Sequence, residues 1–383
     1  MVVFVVLVVS VIVAPLVYWV STGTASSSGG TPLPTDPLQR AIALQEMYPL
    51  IDGHNDLPYS LRWILKTNFS STDLRLWQPD LMTDIPRLRA GRVGGQFWSV
   101  YVSCALQGAD AVQTTLEQID LVKRMVAVYP DTFAVALSSA DVRTAFKQGK
   151  IASLMGMEGG HSMHNSLGAL RGLFDAGARY MTLTHSCNTA WAQSSAGPTM
   201  DPPLTAFGVE VVHEMNRLGM IVDMSHIAHT TMRKVLDVTK APVIFSHSSV
   251  FSICKNQRNV PDDVIQRIPA NGGVIMVNFW PSFVSCSSNA TLSQVADHIE
   301  YLRNSVGADY IGYGSDFDGI PTVPKGLEDV SKYVELTAEL VRRRFTDLEI
   351  AAIVGGNVLR VMERVEEVAK ELQSKEVPSD AHP

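Results

Sequence analysis

The sequence predicts an α/β fold, namely a closed (β/α)8 barrel of the TIM type. From about residue 38, short apolar runs alternate with amphipathic segments that are long enough for helices. There are eight such runs, and most of them end in a polar residue. This alternation in one continuous stretch is typical of a parallel barrel with its helices outside. An open doubly wound sheet is the alternative, but no G-x-G-x-x-G motif follows the first run.

The segment before the barrel indicates export. Val2 to Val20 carry no charge and are long enough to cross a bilayer, so we expect residues 1–20 to form an uncleaved hydrophobic anchor. A signal peptide is the alternative, because the small residues Gly23-Thr24-Ala25 could form a cleavage site. The catalytic domain is then extracellular or luminal, either held at the membrane or secreted. Residues 21–37, rich in Ser, Gly, Thr and Pro, predict a flexible stalk.

The barrel is predicted over residues 38–375, with a tail over 376–383. Its predicted strands are Leu50–Asp52, Gln96–Val102, Ile151–Met157, Tyr180–Thr184, Ile221–Met224, Val243–Ser246, Gly273–Asn278 and Tyr310–Gly314. Its predicted amphipathic helices include Val112–Val128, Phe207–Leu218, Thr230–Val238, Leu292–Val306, Val330–Arg344 and Gly356–Ser374.

Composition narrows the class of protein. The 383 residues are 46% hydrophobic and 18% charged, which suits a large soluble catalytic domain. A net charge of −7 gives no basic surface for nucleic acid, so no nucleic-acid partner is expected. Asn68 and Asn289 begin N-glycosylation sequons. The cysteines, an even set without C-x-x-C spacing, favour two disulfides over buried free thiols: Cys104, Cys187, Cys254 and Cys286.

Metal-binding side chains follow the predicted strands. The carboxyl ends of parallel barrel strands share one face, where active sites form, so residues at these positions converge. They are His54 and Asp56 after the first strand, Glu158 after the third, and His185, His226, His247 and Asp316 after later ones. A single histidine after an apolar run is more often structural, and we interpret His164, His213, His229, His298 and His382 in that way. Histidines at four separate strand ends instead indicate a metal site.

These donors exceed the three protein ligands of a mononuclear catalytic zinc. A carboxylate shared between two ions would use them, and Glu158 is the natural bridge because it is central in barrel order. His185 and Asp316 remain free for substrate and for proton transfer. His161, close to Glu158, could orient a ligand from behind it.

Several motifs together resemble the membrane dipeptidase (renal dipeptidase) family of zinc peptidases, from roughly Tyr48 to Val365. They are Asp52-Gly53-His54-Asn55-Asp56, Gly94-Gly95-Gln96-Phe97-Trp98, Glu158-Gly159-Gly160-His161, Leu183-Thr184-His185, Phe245-Ser246-His247-Ser248, Arg258-Asn259-Val260-Pro261-Asp262-Asp263, Asp316-Phe317-Asp318-Gly319 and Gly326-Leu327-Glu328-Asp329-Val330. The resemblance implies a barrel of the metal-dependent hydrolase kind that holds two Zn²⁺ per chain and cleaves dipeptides.

The resemblance also implies a role for each residue. His54 and Asp56 would bind one zinc and His226 and His247 the other, with Glu158 bridging. His185 would contact the scissile carbonyl, Arg258 the substrate's terminal carboxylate, and Asp316 the free amine. Asp318 is interpreted as a structural carboxylate in a turn.

The implied disulfides are Cys104–Cys187 and Cys254–Cys286. Better-known animal members have a C-terminal lipid anchor and an additional cysteine that links subunits. Neither feature is present here, so any homodimer is expected to be non-covalent and the N-terminal segment to supply the membrane tether.

The expected reaction is hydrolysis of a dipeptide by a metal-bridging hydroxide that attacks the peptide carbonyl. Two other functions stay open. A related hydrolase of lactams or other cyclic amides would use the same metal centre, with only Arg258 favouring a free carboxylate. The other is a catalytically inactive binding protein at the membrane, although every position at which the family resemblance implies a metal-binding or proton-transferring residue holds such a residue here.

Overall fold

The computed structural model of the chain describes residues 32–63, 69 and 72–383. The unit that carries the barrel spans Pro34–Pro383. The predicted anchor over residues 1–20, residues 21–31 of the predicted stalk, and Asn68 lie outside the described residues. Among the residues described, none of the helices is both long enough and apolar enough to cross a membrane.

Nine parallel strands form one sheet within the described residues. They are β1 (Leu50–Asn55), β2 (Val93–Tyr101), β3 (Phe133–Val135), β4 (Ile151–Glu158), β5 (Ala178–Thr182), β6 (Ile221–Asp223), β7 (Ile244–Phe245), β8 (Val274–Val277) and β9 (Ile311–Tyr313). Their order is β2-β1-β9-β8-β7-β6-β5-β4, and pairing of β2 with β4 closes the ring. The predicted eight-stranded barrel is therefore confirmed.

The ninth strand, β3, was not predicted. It pairs only with the first residues of β4, over Phe133↔Ile151 to Val135↔Ser153, while β5 pairs with the second half of β4. Three residues give too little alternation to reveal a strand. β7 also has only two residues, although the apolar run around it is longer.

Fifteen α-helices lie within the described part of the chain. They are α1 (Pro37–Met47), α2 (Leu57–Trp63), α3 (Ile85–Ala90), α4 (Ala111–Val128), α5 (Ser139–Lys147), α6 (Leu167–Ala176), α7 (Ala206–Leu218), α8 (His229–Val238), α9 (Asp262–Ile265), α10 (Ile268–Asn271), α11 (Pro281–Val284), α12 (Leu292–Val306), α13 (Tyr333–Arg342), α14 (Asp347–Ala351) and α15 (Asn357–Gln373). A short π-helical segment, Ala352–Gly356, joins α14 to α15.

Local sequence sets the ends of the longer helices. Thr291 begins α12 with a capping box, because its hydroxyl accepts from the Gln294 N–H while the Gln294 side chain accepts from the Thr291 N–H. The Thr205 hydroxyl accepts from Gly208 N–H at the start of α7. Gly219 ends α7 with φ +86°, which glycine adopts without steric cost.

The C-terminal helix packs against the barrel. The apolar side chains of α15 recur at helical spacing and belong to the same buried cluster as residues of β1, β7 and β8: Val358, Val361, Met362, Val365, Val368 and Leu372. Each buried side chain of this size contributes roughly 1.5–3 kcal/mol from the hydrophobic effect. This contact leaves the opposite, carboxyl face of the strands free for a site.

Candidate metal and substrate site

The structure brings the predicted strand-end residues together at the carboxyl end of the barrel. Three groups of side chains place their donor atoms within 4.8 Å of one another: His54, Glu158 and His247; Glu158, His185 and His226; His54, Asp56 and Asp316. His54 and Asp56 come from the end of β1, and each of the other residues comes from a different strand end, as the barrel geometry requires. Two of these residues, His226 and Asp316, have positive φ angles (67° and 68°), which are uncommon outside glycine and typical of functional sites.

Glu158 lies at the centre of the cluster. Its Oε2 is 3.5 Å from His54 Nε2, while its Oε1 is 3.1 Å from His226 Nε2 and 3.4 Å from His247 Nε2. Asp56 Oδ2 lies 3.2 Å from His54 Nε2 on the first side. The two carboxylate oxygens of Glu158 therefore face two different sets of donors, which is the arrangement that a bridging ligand needs.

Hydrogen bonds behind His54 set its tautomer. Its Nδ1 is 2.8 Å from the hydroxyl of Tyr180, and that hydroxyl donates to the Gly53 carbonyl at 3.1 Å. The hydroxyl hydrogen is thus used, so Nδ1–H of His54 is the donor, and Nε2 is the nitrogen that faces Asp56 and Glu158. Gly156 makes room for Tyr180 in the barrel, since a Cβ there would lie 1.9 Å from Tyr180 Cζ.

The tautomer of His247 is also set by a hydrogen bond to its Nδ1, but from a different partner. Its Nδ1 is 2.8 Å from Ser246 Oγ, which itself donates to Asp223 Oδ2 at 2.5 Å. Ser246 must therefore accept from Nδ1–H, which leaves the lone pair of His247 on Nε2, 2.9 Å from Nε2 of His226.

This donor set fits divalent metal ions. The buried Nε2 of His54 has no hydrogen-bond partner although it lies 3.2 Å and 3.5 Å from oxygens of two carboxylates. A buried polar nitrogen that has no partner and lies beside two carboxylates is an unfavourable arrangement unless a cation lies among them. Imidazole nitrogens together with carboxylate oxygens are the ligands that zinc takes.

The pKa values of the site residues follow from the burial of carboxylates and imidazoles side by side. Burial raises the pKa of Glu158, but the imidazoles around it, His54 first, outweigh burial and bring that pKa well below its usual range. Burial lowers the pKa of His226 and His247 well below the ordinary value, so both are neutral, which is the state in which an imidazole can bind a metal ion. Burial, with the nearby Asp56 and Glu158, raises the pKa of Asp316 to about 8.

Arg258 is a buried cation without a counter-charge. It is 7% exposed, and burial lowers its pKa to about 10. Its Nη1 donates to Ser248 Oγ at 3.2 Å and its Nη2 to the His247 carbonyl at 3.1 Å, while Nε has no partner. Among the residues that the structure describes, no carboxylate forms an ion pair with it. Three N–H groups therefore remain for a ligand.

Asp316 and His185 border the same space. Asp316 Oδ2 accepts from Asn278 Nδ2 at 2.9 Å, and its backbone N–H donates to the His54 carbonyl at 3.1 Å. His185 is the most exposed of these imidazoles, with 20% of its side chain exposed, and its Nε2 lies 3.9 Å from Glu158 Oε1. Its other nitrogen is 3.0 Å from Ser186 Oγ.

The remaining predicted residues lie outside the first ring of donors. His161 is buried, and its Nε2 lies 2.9 Å from the Val102 carbonyl. Asp318 Oδ1 accepts from Met82 N–H at 2.7 Å, so this carboxylate holds the loop before α3. His298 is bonded on both sides, with Nε2 facing the Val284 carbonyl and Nδ1 accepting from Val250 N–H.

Three buried polar residues of the site were missed by the sequence analysis. Asp52 accepts from Gln96 Nε2 and from the N–H and hydroxyl of Ser315. Asp223 lies behind His247, to which Ser246 connects it, and Tyr180 lies behind His54. A carboxylate inside an otherwise apolar strand was the available signal for the two aspartates, because such a charge stays buried only when it is well hydrogen-bonded.

The disulfides are those that the family resemblance implies. Cys104–Cys187 joins the loops after β2 and β5, and Cys254–Cys286 spans 32 residues. Cys104 Sγ lies 3.9 Å from His185 Nδ1, so the first disulfide supports one wall of the site. Asn289 is exposed, as a glycosylation site must be.

Comparison with known proteins agrees with this geometry. Residues 38–376 match the profile of the membrane dipeptidase family, peptidase family M19. Dipeptidase 3 of Rattus norvegicus is 44% identical over 335 residues, which cover 86% of this chain and 68% of that protein. A probable dipeptidase from Pseudomonas aeruginosa shares the fold, with a TM-score of 0.80 at 23% identity over 88% of this chain and 100% of that chain. A metallo peptidase from Rhodobacter sphaeroides, liganded with a phosphinate mimic of L-Ala-D-Ala, has a TM-score of 0.74 at 25% identity over 83% of this chain and 99% of that one.

Proposed function

The chain belongs to the membrane dipeptidase family, peptidase family M19, and from that premise we propose that it hydrolyses dipeptides with two zinc ions. Membership makes the chain a metal-dependent dipeptidase, which is a hydrolase. The number and identity of the ions, the roles of the residues and the location are our proposal. The observation that carries it is Glu158, whose two oxygens face two separate sets of metal donors.

Each zinc position has its own ligands in this proposal. His54 and Asp56 would hold one ion and His226 and His247 the other, and Glu158, which faces both sets, would contribute to each position. When bound, the ions would supply Lewis acidity, which lowers the pKa of water and polarises a carbonyl oxygen. N/O ligation of this kind would also accept cobalt or manganese.

The chain's own residues orient the substrate and move the proton. His185, the most accessible imidazole, contacts the scissile carbonyl region. Asp316 Oδ1 is free to hold a proton and pass it to the leaving nitrogen, because Oδ2 is engaged by Asn278. The raised pKa of Asp316 suits this role, since it makes the carboxylate a stronger base that can take up a proton and release it near neutral pH.

Opposite charges at the two ends of the site account for a preference for dipeptides. Arg258 has free N–H groups for the terminal carboxylate, and Asp316 faces the free amine. A longer peptide would leave one of these charges unmatched. The dipeptide mimic in the related Rhodobacter sphaeroides enzyme supports the same class of substrate.

We further propose that the catalytic domain, residues 38–375, acts on the extracellular or luminal side, tethered by residues 1–20 or secreted after their removal. The disulfides and the exposed sequon at Asn289 support this location. Any homodimer would be non-covalent, because the described cysteines are all paired within the chain.

The test is hydrolysis of Ala- and Gly-containing dipeptides before and after chelation. We expect activity on dipeptides, little on the matching tripeptides and N-acetyl dipeptides, loss on chelation, and recovery with zinc. His54→Gln should abolish activity, whereas His382→Gln, on the exposed tail, should not change it. Metal binding without dipeptide cleavage, but with cleavage of a cyclic amide, would overturn the proposed substrate.

A further inference from the structure

We infer that Asp223 and Ser246 form a hydrogen-bonded relay to His247. This relay sets the metal affinity of the position formed by His226 and His247 without changing the affinity of the position formed by His54 and Asp56. Asp223 and Ser246 would be positioning residues, since they act through His247 and touch neither metal nor substrate. The inference rests on the proposed function, because it requires a metal ion on His247.

The hydrogen bonds around Asp223 define it as an acceptor only. Its Oδ2 accepts from Thr182 Oγ1 at 2.8 Å and from Ser246 Oγ at 2.5 Å. Its Oδ1 accepts from the backbone N–H of Ser225 at 3.0 Å and of Ser246 at 2.9 Å. Four donors converge on a fully buried side chain, which is the environment of an ionised carboxylate.

The single hydroxyl hydrogen of Ser246 then points away from the histidine. Its shortest contact is with the Asp223 carboxylate, so the hydroxyl oxygen is polarised and accepts from His247 Nδ1–H. A hydrogen bond of this kind fixes the ring and raises the basicity of the other nitrogen. Nε2 of His247 is that nitrogen, and it faces Glu158 and His226.

His54 has a weaker counterpart. Its Nδ1 bonds to the hydroxyl of Tyr180, whose own hydrogen goes to the neutral carbonyl of Gly53. Among the residues that the structure describes, no carboxylate accepts a hydrogen bond from this phenol, whereas the hydroxyl behind His247 donates directly to one. The two metal-binding histidines therefore differ in donor strength because of the residues behind them.

Asp223 also supports the fold, and the test must separate this structural role from the effect on the metal position. β6 and β7 share only the pair Asp223↔Ile244, so the Asp223 side chain replaces part of the missing ladder. Replacing Asp223 could prevent folding. Ser246→Ala is the sharper change, because it keeps the backbone bond from Ser246 N–H to Asp223 and removes only the hydroxyl.

The experiment compares Ser246→Ala, Ser246→Thr and Tyr180→Phe in the full chain with zinc alone. Stepwise zinc affinities come from competition with a chromophoric chelator, and NMR of isotope-labelled histidine shows which ring binds each ion. Ser246→Ala should weaken zinc at His247 about 10–100-fold and leave zinc at His54 unchanged. Ser246→Thr should restore most of the affinity, and Tyr180→Phe should weaken only the position at His54.

The outcomes separate the relay from the proposed function. If wild-type protein binds no zinc at these histidines, the proposed function fails. If wild type binds zinc and folded Ser246→Ala binds it equally well at His247, the relay is refuted while the proposed function stands. Equal weakening at both positions would also refute it, because a purely structural role would not distinguish them.

Discussion

Arg258 offers the sharpest test of substrate recognition. Two of its free N–H groups can meet the two oxygens of a terminal carboxylate, and a hydrogen bond to a charged group contributes about 1.5–3 kcal/mol. Replacing Arg258 by Gln should therefore cost roughly 3–6 kcal/mol in transition-state binding, or about 10²–10⁴-fold in kcat/KM. Arg258→Lys, which keeps the charge but not the planar fork, should fall between wild type and Arg258→Gln.

The assay compares each dipeptide with its C-terminal amide, which lacks the carboxylate. Wild type should prefer the free dipeptide strongly, and Arg258→Gln should lose most of that preference with little change on the amide. Because Nη2 of Arg258 also holds the His247 carbonyl, zinc content must be shown to be unchanged. If Arg258→Gln slowed dipeptide and amide equally, or kept the preference for dipeptides over tripeptides, the assigned role would be wrong.

Three further predictions concern other parts of the barrel. Asp316→Asn should lower kcat about 10²–10⁴-fold in steady-state kinetics, while metal analysis should show an unchanged zinc content. A normal kcat in this variant would exclude proton transfer by Asp316. Burial lowers the pKa of His298 to about 4 in the folded protein, so as the pH falls the unfolded chain binds the proton first. The free energy of unfolding should therefore decrease by about 3 kcal/mol in total as the pH drops from 6.5 to 4. Denaturant unfolding of His298→Gln should show a shallower loss over this range, and an unchanged pH slope would contradict the assignment. Gly156→Ala, which places a Cβ against the ring of Tyr180, should lower the free energy of unfolding by about 1–3 kcal/mol and weaken zinc binding. Gly172→Ala, at a position where a Cβ meets no other atom, should have neither effect. Equal effects of the two substitutions would refute the packing argument.

Much of the barrel and of the candidate site could be predicted because parallel strands place their carboxyl ends together. An apolar run followed by histidine or a carboxylate needs no knowledge of which strands pair, so His54, Glu158 and His247 could be grouped from the sequence. The roles assigned to these residues remain predictions. The central position of Glu158 in the structure follows from its place at the end of β4.

The parts that the sequence did not reveal depend on strand pairing. The role of Asp223, the last residue of β6, depends on its neighbours in the folded barrel, since its partners come from β5, from the segment after β6 and from the residue after β7. Tyr180 reaches His54 only because Gly156 on the neighbouring strand leaves room for its ring. β3 was too short to give a periodic signal.

The most direct test of the account is the zinc content of the full chain and of Glu158→Gln, measured by elemental analysis after equilibration with zinc and removal of loosely bound metal. We expect about two zinc ions per wild-type chain and a loss of zinc from both positions in Glu158→Gln, because one side chain serves both ions. A wild-type chain that binds no zinc, or a folded Glu158→Gln variant that keeps both ions with unchanged affinity, would contradict it.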